Sequence, residues 1–143
     1  MNLQDIMQFL DENAPAFLAT LGTCGNPRIR PVQSPLLFGD KIYFCTGKSK
    51  NLYKHMQKHS GVEFCSCAKD GTFLRLRGQG VFVDDKEIKR AMFEKYPLVK
   101  DIYKDIENEN FAIFYLDKIS ARKQKMNGEF ELFKENESSC CNA

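Results

Sequence analysis

The chain has no tryptophan and only two histidines among 143 residues, and none of its six cysteines stands in a C-x-x-C pair. A zinc site of the usual spacing is therefore not expected. G-x-S-x-G, G-x-G-x-x-G and Walker sequences are all missing, which removes the common signatures of a nucleophile elbow, a dinucleotide fold and a phosphate loop. No apolar run reaches membrane-spanning length, and no secretory leader opens the sequence. A cytoplasmic protein with reduced cysteines is the expectation. Charge of one sign is also scarce. Lys and Arg number 21 against 19 Asp and Glu, a net of +2, which by itself gives no argument for nucleic acid. What is present is core-forming material: 43% apolar residues, twelve of the side chains being Phe. One domain is expected over residues 1–137, with 138–143 a disordered tail.

Periodicity divides the chain into alternating short elements. Leu3, Ile6, Met7 and Leu10 recur at helical spacing behind a capping Asn2, and Asn13-Ala14-Pro15 ends that helix. Ala16 to Leu21 reads as a strand, Gly22 to Pro27 as a turn cluster, and Arg28 to Phe38 and Lys41 to Thr46 as strands. A basic helix runs from Ser49 or Lys50 to His59, with Ser49 a natural N-cap and Leu52 and Met56 inward. Val62 to Ala68 and Thr72 to Val83 are strands, and Gly78 and Gly80 in the second mark a bend, bulge or close approach. Asp84 and Glu87 look like a capping-box variant opening a helix with Ile88 and Met92 inward. A further helix spans about Leu98 to Ile106. Strands cover Phe111 to Leu116 and Ile119 to Met126, and Asn127-Gly128 turns the chain into a last strand to Phe133. Strict β-α-β alternation is absent. A mainly β, α+β fold results, an antiparallel barrel or sandwich with peripheral helices.

Chemistry concentrates in two stretches, Pro27-Arg28-Ile29-Arg30-Pro31-Val32-Gln33 and Thr46-Gly47-Lys48-Ser49-Lys50-Asn51. If Gly39-Asp40 is a two-residue hairpin loop, paired positions sum to 79. Arg30 then faces Ser49, Arg28 faces Asn51 and Gln33 faces Thr46. The turn at Gly47 would aim backbone amides, and the helix after it a positive end, at one anion such as a phosphate. The plainer alternative makes these cations a solvated face, paired with acids such as Glu129 or Asp84. His55 and His59, four apart on a helix, fit a basic surface better than a metal site. Arg75 and Arg77 fit an amphipathic strand. Cys45 fits a small buried residue beside the socket.

Taken in order, Ala16-Phe17-Leu18-Ala19-Thr20, Gly25-Asn26-Pro27-Arg28-Ile29-Arg30-Pro31, Ile42-Tyr43-Phe44-Cys45-Thr46-Gly47-Lys48-Ser49-Lys50 and Phe73 to Asp85 resemble the pyridoxamine 5′-phosphate oxidase-like FMN-binding split barrels. The nitroimidazole-reductase-like branch is the nearer one. The resemblance implies a six-stranded antiparallel split barrel, a homodimer with FMN at its interface, and an FMN-dependent oxidoreductase acting on a small, planar substrate. It also implies roles. Arg28 or Arg30, with Ser49 and Lys50, would hold the phosphate. Ile29, Arg30 and Gln33 would run along the isoalloxazine, and Cys45 and Thr46 would meet ring or ribityl chain. Lys48 and Asn51 are weaker candidates. No His follows His59, so the C-terminal Arg-x-His segment of the true oxidases is missing, which argues against the vitamin B6 reaction. Two alternatives stay open. One is a non-catalytic flavin or haem module with His55, His59 or a Cys as axial ligand. The other, less favoured, is a barrel for single-stranded nucleic acid.

Overall fold

A computed structural model describes residues 1–135. The expected tail at 138–143 lies outside them. The elements are α1 (Leu3–Glu12), β1 (Ala16–Leu21), β2 (Pro27–Val32), β3 (Leu36–Phe38), β4 (Lys41–Gly47), α2 (Asn51–Lys58), β5 (Gly61–Cys67), β6 (Phe73–Val83), α3 (Lys86–Lys95), α4 (Pro97–Tyr103), β7 (Phe111–Gln124) and β8 (Phe130–Lys134). The strands form one antiparallel, unclosed sheet in the order β2-β1-β5-β6-β7-β4-β3, with β8 paired to β7. This is the expected α+β split-barrel architecture, with eight strands in the sheet where the resemblance implies six.

The two long strands bend together. A register shift falls between Arg77 and Gln79, and a Cβ on Gly78 would sit 2.8 Å from the Asp117 carbonyl oxygen. Lys118, at φ 53°, marks the same bend in β7. Before the bend β7 pairs with β4, through Phe111 to Tyr115; beyond it, through Ser120 to Gln124, it pairs with β8. Two separately expected strands are thus one continuous strand that exchanges neighbours.

The hairpin at Gly39-Asp40 forms, with Leu36↔Tyr43, Leu37↔Ile42 and Phe38↔Lys41 all summing to 79. The register stops there. Pro35 has no N–H to continue the ladder, and the Ser34 hydroxyl accepts the Cys45 amide at 3.2 Å. The preceding segment turns away as β2 and pairs with β1 instead, from Leu21↔Pro27 to Ala16↔Val32. Arg30 therefore lies opposite Leu18 and Arg28 opposite Thr20, not Ser49 and Asn51. β2 is an edge strand, which is why it carries Pro27 and Pro31 without losing ladder bonds it needs.

Capping follows local chemistry. Asn2 and Asp5 make a reciprocal capping box on α1. The α3 cap is Asp85, which accepts from the Glu87 and Ile88 amides, so the cap falls one residue later than expected and the Asp84–Glu87 box does not form, Ile88 at the third position having no polar side chain to reciprocate. The α2 cap position is Lys50, without a side-chain bond, rather than Ser49.

Two apolar clusters meet at β4, whose alternate residues serve both. Ile42 and Phe44 join Ile6, Leu10, Leu18, Phe64, Leu76 and Phe114; Tyr43 joins Met92, Phe93, Phe111 and Ile113 beneath α3. Phe44 stacks on Phe64 with ring centroids 4.2 Å apart.

Candidate functional site

A cleft of about 920 Å³ opens where β2, the end of β4, α2 and α4 converge. Eight of the ten residues expected from the sequence line it: Arg28, Ile29, Arg30, Gln33, Cys45, Thr46, Lys50 and Asn51. They meet by tertiary packing rather than as hairpin partners. Lys48 lines a second cleft beside Asp84 and Lys89. Ser49 is exposed on the surface turn. The amides of Lys48, Ser49 and Lys50 already donate to Asn110 O, Asn110 Oδ1 and Gly47 O, at 2.8, 2.8 and 3.0 Å. The expected amide nest at Gly47 therefore does not exist, because Asn110 has taken up two of its donors and the Gly47 carbonyl the third.

The lining carries five cationic side chains, Arg28, Arg30, Lys50, Lys54 and Lys95, and no Asp or Glu. Lys95 is neutralised by Asp11 at 2.9 Å. Asp84 and Glu129, the acids offered as partners for a solvated face, bind Lys89 and Lys125 instead. Arg30 is half-buried and, among the described residues, has only neutral acceptors. Its Nη1 donates to Thr20 Oγ1 at 2.7 Å, Leu18 O at 3.2 Å and Arg28 O at 3.4 Å, while Nη2 lies 3.3 Å from His55 Nδ1. Burial and the nearby Arg28 make this charge costly, lowering its proton affinity from the ordinary value. A positive group kept without a counter-ion is a group prepared for an anionic ligand.

His55 is buried, contrary to the expectation of a surface histidine. The sequence did carry the signal: Leu52, His55 and Met56 stand at i, i+3, i+4, the inward stripe of α2. Thr20 Oγ1 lies 3.0 Å from the same Nδ1, so both neighbours donate to it and the ring proton belongs on Nε2. Burial first, then Arg30 and Arg28, push the imidazole below its ordinary value of 6.5. The folded state thus binds this proton less readily than the unfolded chain. The resulting stabilisation is present above that ordinary value and is lost as pH falls through it toward the folded pKa. Urea unfolding at a series of pH values should show this acid-side loss, and His55→Asn should remove that part of it.

The Thr46 hydroxyl, 3% exposed, has no hydrogen-bond partner among the described residues. It lines the cleft, and an orphaned buried hydroxyl there suits a ligand with acceptor or donor atoms. Thr46→Val should raise the melting temperature of the ligand-free protein, the orphaned group costing about 1 kcal/mol or more. Burial raises the Cys45 thiol, keeping it protonated beside this position.

One wall of the cleft is apolar. Tyr96, Pro97, Leu98, Val99 and Ile102 form it, and Leu98 and Ile102 are well exposed. Sequence reasoning missed this wall, because nothing local links α4 to β2. It also missed Thr20, although the turn cluster at Gly22 to Pro27 implied the hairpin that brings Thr20 opposite Arg28. Cys24, Cys45, Cys65 and Cys67 are free thiols. No group of three or more potential metal ligands occurs among the described residues, and no helix is long and apolar enough to cross a membrane.

A family model described as pyridoxamine 5′-phosphate oxidase matches residues 3–134. No curated protein matches the sequence. Among solved structures the chain is similar to a NimC/NimA family protein from Clostridium acetobutylicum, at 28% identity over 94% of this chain and 92% of that one, with a TM-score of 0.87. A pyridoxamine 5′-phosphate oxidase-related, FMN binding protein from Nostoc punctiforme shares the fold at 16% identity and a TM-score of 0.63, over 94% of this chain and 97% of that one. A heme binding protein from Mycobacterium smegmatis shares it at 17% identity and a TM-score of 0.71. That alignment covers 90% of this chain but 56% of that protein.

Proposed function

The chain belongs to the pyridoxamine 5′-phosphate oxidase family, and on that premise we propose that it is an FMN-dependent oxidoreductase for a small, planar acceptor. One observation carries the reading: a cleft with several cations and no carboxylate, in which the buried side of Arg30 is satisfied by neutral groups alone. That donor set fits a phosphate monoester, and the orphaned Thr46 hydroxyl fits the polar body of the same molecule. Bound FMN would supply the electron transfer itself. Arg30 would hold the phosphate with Lys50, and Arg28 would add to the field at the mouth. Gln33, Cys45, Thr46 and Asn51 would meet the ribityl chain or the polar edge of the ring, and Ile29 would border it. Tyr96, Leu98 and Ile102 would give an apolar resting place to the acceptor and exclude water from it. Lys48 and Ser49 have no part in this reading, since they lie outside the cleft.

A homodimer belongs to the same proposal, in a reducing, cytoplasmic setting. The sheet face turned away from the core exposes Phe17 on β1, Ile29 on β2 and Leu132 on β8. Phe17 and Leu132 lie in one cross-strand row through Cys65, Arg75 and Arg122. A second copy would cover such a face. Phe17→Asp should then sediment as a monomer and bind FMN more weakly, although Phe17 does not line the cleft; a dimeric variant with full affinity would place the interface elsewhere.

The direct test is the absorption spectrum of freshly purified protein, with the released chromophore identified by mass. Flavin bands and FMN support the reading, and a colourless protein that takes up no FMN ends it. The second reading, a haem carrier, draws on His55 on the cleft wall, which would have to move its proton from Nε2 to Nδ1 and give up the Arg30 bond to offer iron a lone pair. A Soret band on adding haemin, lost in His55→Ala, would favour it.

A further inference from the structure

The bonds around Arg30 contain more than a positive charge near a ligand. Thr20 Oγ1 is 2.7 Å from Nη1, His55 Nδ1 is 3.3 Å from Nη2, and these two acceptors are 3.0 Å from one another. Two atoms on different terminal nitrogens can be that close only across the end of the guanidinium, where the inner hydrogens of Nη1 and Nη2 run parallel. Leu18 O and Arg28 O occupy the remaining side of Nη1. Among the described residues the five N–H groups are then accounted for except two, Nε–H and the outer hydrogen of Nη2, which lie side by side on one edge. That edge is the fork that grips two oxygens of one phosphate.

We propose that Thr20 and His55 are positioning residues for a phosphate monoester: a neutral clamp on the end of Arg30 that leaves its Nε/Nη2 edge open for bidentate capture of the terminal phosphate. This rests on the FMN reading given above and extends it to residues that never touch the ligand. The neutrality of the clamp is its point. A carboxylate in the same place would hold the arginine as firmly but would cancel the charge the phosphate needs. Histidine serves only as the neutral ring with its proton on Nε2, since a protonated Nδ1 would offer a hydrogen where an acceptor is required. Thr20 completes the arrangement by accepting from Arg30 and donating to His55. The clamp has a structural origin: the β1–β2 register places Thr20 beside Arg30, and the inward stripe of α2 delivers His55 to the same point.

The experiment measures the dissociation constants of FMN and riboflavin, which lacks the phosphate, for wild type and five variants. Asparagine can place an amide oxygen where Nδ1 stands, and serine keeps the hydroxyl of threonine. His55→Ala and Thr20→Val should weaken FMN by about ten- to a hundredfold, the usual worth of a bond to a charged group, and riboflavin by less than about threefold. His55→Asn and Thr20→Ser should recover most of the loss, which a purely structural role would not distinguish. Arg30→Ala separates the two levels of argument. If it weakens FMN and riboflavin equally, the phosphate assignment itself is wrong. If it discriminates while His55→Ala and Thr20→Val do not, or if Asn and Ser fail to rescue, the clamp alone is overturned. Nitrogen-15 spectra of the ligand-free protein give a readout without flavin: His55 should hold its proton on Nε2, and a proton on Nδ1 would refute the proposal.

Discussion

Arg30→Ala should reduce FMN affinity by about a hundredfold, roughly 2.7 kcal/mol, while riboflavin affinity changes several-fold at most. The size follows from what is lost. A charge-assisted hydrogen bond is worth about 1.5–3 kcal/mol net, and the open edge of this guanidinium offers two of them to one phosphate. Its counter-charge is not supplied by the described residues, since its acceptors there are Thr20, Leu18, Arg28 and His55, none of them acidic. Arg30→Lys should recover little, because a point charge on a flexible stem cannot fork two oxygens while being held at its far end. Lys50→Ala should cost less, as Lys50 is exposed and its charge is screened. Isothermal titration with both flavins decides the matter: parallel losses would mean that the phosphate lies elsewhere.

Phe44→Ala should destabilise the protein by about 3–5 kcal/mol, a figure typical for a buried Phe truncated to Ala. For a chain of this size that corresponds to a melting temperature lower by roughly 10 °C or more. Phe44 is 0% exposed and stands between Phe64, at 4.2 Å centroid to centroid, and Phe114, at 5.7 Å. The next two residues of β4, Cys45 and Thr46, line the cleft, so the same truncation should also loosen flavin binding. Calorimetry reads the first effect. A loss under about 1 kcal/mol would show that this part of the core is not tightly packed.

How much of this was written in the order of residues can be followed at particular positions. The capping Asn2, the turn at Gly39-Asp40 and the inward Leu52 and Met56 are local facts, and periodicity and turn chemistry disclose them. The bend near Gly78 was legible for the same reason, since a glycine inside a strand invites a close backbone approach, here by Asp117. The socket was legible as composition but not as geometry. Arg28, Arg30, Thr46 and Lys50 do share one cleft, yet the hairpin register invoked to join them ends at Leu36. His55 was misjudged because its charge class was weighed above its place on the helix.

By itself the sequence determined the periodicities, caps and turns that set the element types, and which residues had chemistry to offer. Each depends on neighbours within a few positions, where sterics and local hydrogen bonds decide. Only the tertiary structure decided which edge β2 would join, that Asn110 would consume two of the amides at Gly47, and that Thr20 and His55 would meet at Arg30. Those outcomes depend on contacts far apart along the chain. Their energies are settled when whole faces are buried together, and no window of sequence contains both partners.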